Sequence, residues 1–220
     1  MASRCGGLRR RLASVRSVRS LSAASRLTPL TPERQDAEQR ELYDRVVTSR
    51  GKLVTATHPD GSLVGPWNAM ATSPVIGGHL ERTGDACRNQ SSLTPDVQEV
   101  VILAVGAHWR SQFEWYTHER LALKAGLSPE AIAHIKAVSD LTEVLQLLDP
   151  TAYAALAFTR ELQETARVSD ATYAALVDLV GERGAVDVVF TAGYYDAVCR
   201  MLNAFEVALP PGAEPPFPES

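Results

Sequence analysis

Apolar residues in this chain recur at intervals of three and four, and no alternating apolar–polar run persists between the segments that carry them. A spacing of three and four puts side chains on one face of a helix, whereas a half-buried strand needs a period of two. The punctuation sets the boundaries. Thr31-Pro32-Glu33 reads as an N-cap with proline at the first helical position, opening a helix to about Thr48. Residues 50–66 make a long polar loop with a turn at Pro59-Asp60-Gly61, and Gly65-Pro66-Trp67-Asn68-Ala69-Met70 follows. Ser73-Pro74 opens a short helix to about Asn89, and Thr94-Pro95-Asp96 caps a central helix that runs towards Trp109. Ser111 with Glu114 forms a Ser-x-x-Glu capping box that starts another, which Gly126 ends. Ser128-Pro129-Glu130 opens the next, to about Val138; Asp149-Pro150 and Asp170 cap two more. A last apolar helix spans Ala185 to Phe205, and the Pro-rich stretch from Leu209 predicts an extended or disordered end. The predicted fold class is all-α.

A faint internal echo bears on domain organisation. Asp187-Val188-Val189-Phe190 repeats the pattern of Glu99-Val100-Val101-Ile102, and the same shift lays Cys199 over Ser111. The match is short, so one domain and two weakly similar halves both stay open, as they do for 220 residues in general. The expected division is a basic leader at 1–25, a helical domain at 26–210 and a Pro-rich tail at 211–220.

Composition narrows the function classes. The chain is 45% hydrophobic and 6% aromatic, and it has no apolar run long enough for a membrane span. Residues 1–32 hold seven arginines and no acid; taking these from the 22 basic residues leaves 15 against 26 acids. The body is thus formally −11 although the whole chain is −4, which argues against nucleic acid or an anionic membrane as partner. The leader, rich in Arg, Ser, Ala and Leu, has the composition of a mitochondrial transit peptide. A basic tail and a stretch upstream of the true start are the competing readings; without import, the cytoplasm is the expected compartment. Cys5, Cys87 and Cys199 lie far apart with no Cys-x-x-Cys, so neither a dithiol redox centre nor a zinc knuckle is encoded.

The candidate chemistry lies in Ser111-Gln112-Phe113-Glu114-Trp115-Tyr116-Thr117-His118. Glu114 and His118, four apart, share a helix face, and a carboxylate beside an imidazole is a proton donor and acceptor near neutral pH. Glu99 lies in the apolar run just upstream, where a charge needs a partner; Arg110 and Arg120 are candidates. For Glu114 the competing reading is the capping box alone.

The stretch from Gln98 to Ser128 resembles the carboxymuconolactone decarboxylase family, which also contains alkylhydroperoxidase D, and the likeness runs from about Ser25 to Pro210. The peroxidase branch has a Glu, a Cys-x-x-Cys and a His four residues past the second Cys; those places hold Glu99, Ser111, Glu114 and His118 here. Both cysteines are missing. The decarboxylase branch has a Glu-x-x-x-His that matches Glu114 and His118, and lacks the earlier Glu supplied here by Glu99. The resemblance implies an alkylhydroperoxidase D-like helical bundle that assembles as trimers or hexamers. It implies a cofactor-free lyase or isomerase acting on a small carboxylated lactone or enone, with His118 as proton donor or enolate stabiliser. Glu114 would hold His118, and Glu99 would be a second proton carrier. A peroxidase-type oxidoreductase and a non-catalytic small-molecule-binding homologue are the alternatives. Trp67, Asn68, His108, Trp115 and Tyr195 are candidate substrate-binding residues, with Tyr116 and Tyr194 beside them; each also reads as core or surface. No metal site is expected, since His58, His79 and His134 lack partners at ligand spacing. If the Glu114–His118 pair is catalytic, replacing His118 with Gln should cost activity and little stability.

Overall fold

The computed structural model describes residues 25–50 and 56–218, so the expectations for the leader fall, apart from Ser25, outside the described residues. Within them the all-α expectation holds. Nine α-helices follow a 3-10 turn at Pro32–Arg34: α1 (Ala37–Arg50), α2 (Pro66–Thr72), α3 (Pro74–Asn89), α4 (Pro95–His108), α5 (Gln112–Lys124), α6 (Pro129–Ala137), α7 (Leu141–Val144), α8 (Pro150–Thr165) and α9 (Asp170–Ala204). One isolated antiparallel bridge, Thr57 to Leu63, closes the turn around Pro59-Asp60-Gly61.

The architecture is built around α4. Every residue from Val97 to Ala107 is buried, so this helix has no polar face; a helix apolar all round belongs inside a bundle. Helices α8, α9, α5 and α6 pack around it, and α1, α2 and α3 form a flank that reaches α9. Small residues set some of these distances. At Gly77 a Cβ would lie 2.0 Å from the Met70 carbonyl oxygen, so α2 and α3 meet backbone to backbone there. At Gly84 a Cβ would lie 2.2 Å from the Tyr194 hydroxyl, which brings α3 against α9.

Several boundaries shift for local reasons. Thr31-Pro32 opens only the 3-10 turn; α1 starts later, where Asp36 and Gln39 satisfy each other's backbone N–H groups at 2.9 and 3.0 Å. The cap of α9 is Ser169, whose hydroxyl accepts from the Thr172 N–H, and Asp170 occupies the first helical position. The last apolar helix is the second part of α9, which breaks at Gly181, where φ is +70° and ψ is 174°. The sequence expectation also lacked α2 and the short α7.

The Pro-rich tail is docked. Phe217 is 4% exposed and packs edge-on against Trp115, with ring centroids 5.4 Å apart. The Gln112 side chain donates to the Phe217 carbonyl at 2.8 Å and accepts from its N–H at 2.9 Å. Among the described residues no helix is long and apolar enough to cross a membrane.

Candidate active site

Four helices bring five polar side chains to one place. Arg88 comes from the last turn of α3, Glu99 from the buried face of α4, Glu114 and His118 from α5, and Tyr195 from α9. Ser111 and Glu114 start α5 where expected, but not as a capping box. The Ser111 hydroxyl makes no cap bond and sits against the Cys199 thiol, and the Glu114 carboxylate turns to its i+4 neighbour, His118.

The groups form a chain of alternating charge. The Arg88 guanidinium donates to Glu99 Oε1, and Glu99 Oε2 lies 2.7 Å from His118 Nδ1. His118 Nε2 lies 2.9 Å from Glu114 Oε1. That last contact is off the ring N–H axis, so it is a close ion pair more than an aligned hydrogen bond, and Glu114 Oε1 keeps acceptor capacity in a buried setting. Glu99, Glu114 and His118 are all buried, and a buried charge persists only with compensation of this kind. Arg110 and Arg120, the partners expected for Glu99, are elsewhere: Arg110 lies over Phe217 and Arg120 over Tyr116.

The electrostatics follow from the spacing. Burial by itself would lower the His118 pKa; the Glu99 and Glu114 carboxylates overcome it and raise the value to about 9, so the imidazole is protonated at neutral pH. Burial would raise Glu99, yet His118 and Arg88 hold it below the usual carboxylate range. Burial pushes the Tyr195 phenol well above its ordinary value, so it remains an O–H donor; its ring meets that of His118 edge-on at 5.1 Å.

A cavity of about 200 Å³ opens on this chain. Arg88, Glu114, His118 and Tyr195 supply its polar wall, while Trp67, Phe113, Leu121 and Tyr194 supply an apolar and aromatic one. The face of α5 that lines it also carries Thr117 and Lys124. A larger hollow of about 460 Å³ lies elsewhere, bounded by His58, Asp60 and Asn68 among others; it lacks a buried acid–imidazole pair.

Trp67 and Tyr195 therefore line the cavity as expected, and Glu99 stands behind it. Three expected residues are not there. Asn68 bridges backbone groups of the N-terminal segment, accepting from the Leu30 N–H and donating to the Thr28 carbonyl. His108 is exposed at the end of α4, edge-on to Trp109. Trp115 is fully buried on another side of α5, packed against Phe217. Arg88 was missed; the available signal was a cation in the last turn of a helix that precedes the buried Glu99. Among the described residues no three His, Cys, Asp or Glu side chains converge where a metal could sit.

Comparison with known proteins bears on the sequence family and the fold. Residues 76–161 match the sequence model of the "Carboxymuconolactone decarboxylase family", a stretch that includes Arg88, Glu99, Glu114 and His118. Among curated proteins no match is found. Solved structures share the fold. An "uncharacterized peroxidase-related protein" from Ralstonia eutropha with an alkylhydroperoxidase AhpD core has a TM-score of 0.68 at 16% identity, covering 85% of this chain and 93% of its own. The debrominase Bmp8 has a TM-score of 0.62 at 11% identity, covering 84% of this chain and 91% of its own. A variant of that debrominase bound to 2,3,4-tribromopyrrole gives 0.63 at 13% identity, with 86% and 95% covered. At such identities the likeness is one of fold. Residues 76–161 thus match the carboxymuconolactone decarboxylase family model, and the all-helical fold around them is shared with AhpD-like proteins.

Proposed function

We propose that the cavity is the active centre of a cofactor-free lyase or isomerase of the carboxymuconolactone decarboxylase type, acting on a small carboxylated lactone or enone. The observation that carries this reading is His118 bridging two buried carboxylates, 2.7 and 2.9 Å from its two ring nitrogens, beside a cavity.

Both ring nitrogens of His118 face a carboxylate, so the imidazolium serves as a proton reservoir and Glu114 as the group that meets the substrate. In an isomerisation, Glu114 takes a proton from the carbon beside the carbonyl, the C–H electrons move into a dienolate, and Glu114 returns the proton to the γ carbon. In a decarboxylation, the bond to the carboxylate carbon breaks and carbon dioxide leaves. Its electron pair forms the same dienolate, the γ carbon takes a proton from His118 through Glu114, and solvent reloads the imidazole. The Tyr195 O–H and the Arg88 guanidinium are the donors available to the dienolate oxygen. Glu99, held ionised by Arg88, keeps the ring oriented.

The same geometry disfavours a thiol peroxidase. Peroxide reduction needs an accessible thiolate, yet among the described residues the cysteines, Cys87 and Cys199, are buried and burial raises both thiols. Assembly into trimers or hexamers, implied by the resemblance, belongs to this proposal.

The test is proton exchange. Unsaturated γ-lactones incubated with the full chain in deuterium oxide should gain deuterium at the carbons flanking the alkene, read by NMR. Glu114→Gln should slow the exchange by about a hundredfold or more. Wild-type exchange at background would leave the non-catalytic binding reading. Hydroperoxide turnover that vanishes in Cys199→Ser would replace the reading with the peroxidase one.

A further inference from the structure

The cavity is not electrically balanced. Arg88 is matched by Glu99, and protonated His118 by Glu114. Lys124 also lines the cavity, is exposed, and makes no ion pair or hydrogen bond among the described residues. In a chain whose described body is strongly acidic, a cavity with one cation in excess selects for an anion.

Its position specifies which part of the ligand is charged. Glu114, Thr117, His118, Leu121 and Lys124 lie at i, i+3, i+4, i+7 and i+10, all on the cavity face of α5. The Glu114 and Lys124 Cα atoms are therefore about 15 Å apart along the helix. Helical side chains lean towards the N-terminus, so the lysine stem reaches back over Leu121, which leaves its ammonium roughly two turns from the Glu114 carboxylate. Leu121 stands between them on the helix, and Trp67, Phe113 and Tyr194 add to the cavity wall a surface for a flat apolar body.

We infer that Lys124 is the specificity-determining anchor of this site: it binds a carboxylate held at the far end of a flat, unsaturated ligand from the reacting carbon. This rests on the proposed acid–base reading of the cavity and adds that the recognised carboxylate is one the reaction leaves in place. A carboxylate at the inner end would face the Glu114 carboxylate; at the mouth it meets the ammonium in partial contact with solvent.

The experiment uses two flat probes of the same shape, trans-cinnamate and trans-cinnamamide, titrated into the full chain and followed by quenching of tryptophan fluorescence, since Trp67 lines the cavity. Wild type should bind the anion about tenfold more tightly than the amide, a preference that rising salt erodes. Lys124→Met should remove the preference while leaving amide binding in place, and Lys124→Arg should retain it. Glu114→Gln should keep or strengthen anion binding while abolishing proton exchange. An unchanged preference in Lys124→Met, equal binding of the two probes by wild type, or no binding of either at millimolar concentration would overturn the inference. Anion preference with no exchange activity would sink the acid–base reading and leave the anchor standing.

Discussion

His118 sits at the point where charge and burial conflict most, and pH reads out the conflict. Its folded pKa of about 9 lies above the ordinary 6.5, so the stability it contributes is complete below 6.5 and is lost as pH rises through about 9. Glu99 works in the opposite sense: held below its ordinary 4.5, it contributes stability above that value, which is lost as pH falls through its folded value. Urea midpoints measured against pH should therefore form a plateau. Its alkaline limb should fall by at most about 1.4 kcal/mol per pH unit, the limit for one proton, and should be absent in His118→Gln. A limb unchanged in that variant would mean that another group titrates there. Burial also revises the sequence expectation that this substitution spares stability. It leaves Glu114 without its cation in the interior and Glu99 with Arg88 alone, and removing one partner of a buried pair costs about 3–5 kcal/mol. The pair itself was legible because four-residue spacing on a helix is a contact. Arg88 was not, because Arg88 and Glu99 lie on different helices and only the packing of α3 on α4 brings them together.

At the scale of elements, proline and glycine punctuation carried most of the reading. Ser73-Pro74, Thr94-Pro95, Ser128-Pro129 and Asp149-Pro150 each open a helix within a residue of the expected place, since these pairs act through the local backbone. What a local signal cannot say is where two elements touch. Nothing in the sequence marks Gly77 as the contact of α2 with α3, or Gly84 as the seat of Tyr194. The two sites should respond differently to alanine. At Gly77 the obstacle is the Met70 backbone, so Gly77→Ala must separate the helices and should cost about 3 kcal/mol or more. At Gly84 the obstacle is the end of a tyrosine side chain, which can swing, so Gly84→Ala should cost about 1–2 kcal/mol and act mainly by pushing Tyr194 into the cavity. Thermal melts with cinnamate titrations would separate these effects; equal stability losses would refute the assigned contacts.

Across the described residues, the first and last segments both dock on the helical body. Ser25 and Arg26 bond to the carbonyls of Ala204 and Phe205 at the end of α9, and Phe217 plugs the far side of α5. Composition gives no warning of this, because a Pro-rich tail with one phenylalanine reads as solvated until Trp115 and Gln112 are brought beneath it. Phe217→Ala should cost about 3 kcal/mol, the usual loss for a buried phenylalanine. The substitution should also loosen the first turn of α5, which carries Glu114; a variant as stable as wild type would show the tail to be dispensable. An apolar stripe stays exposed on α9. Val186, Val189 and Phe190 are 49%, 42% and 62% exposed at i, i+3 and i+4 on one face of α9. Water meets there the kind of stripe that helices normally bury against a partner, which is the physical content of the proposed assembly. Light scattering at micromolar concentration should show trimers or hexamers for wild type and smaller species for Phe190→Asp, with far-UV circular dichroism unchanged. Because Tyr194 and Tyr195 follow Phe190 on the same helix and turn into the cavity, losing the contact should also weaken cinnamate binding. A wild-type monomer with full binding would show that α9 holds the site without a second copy.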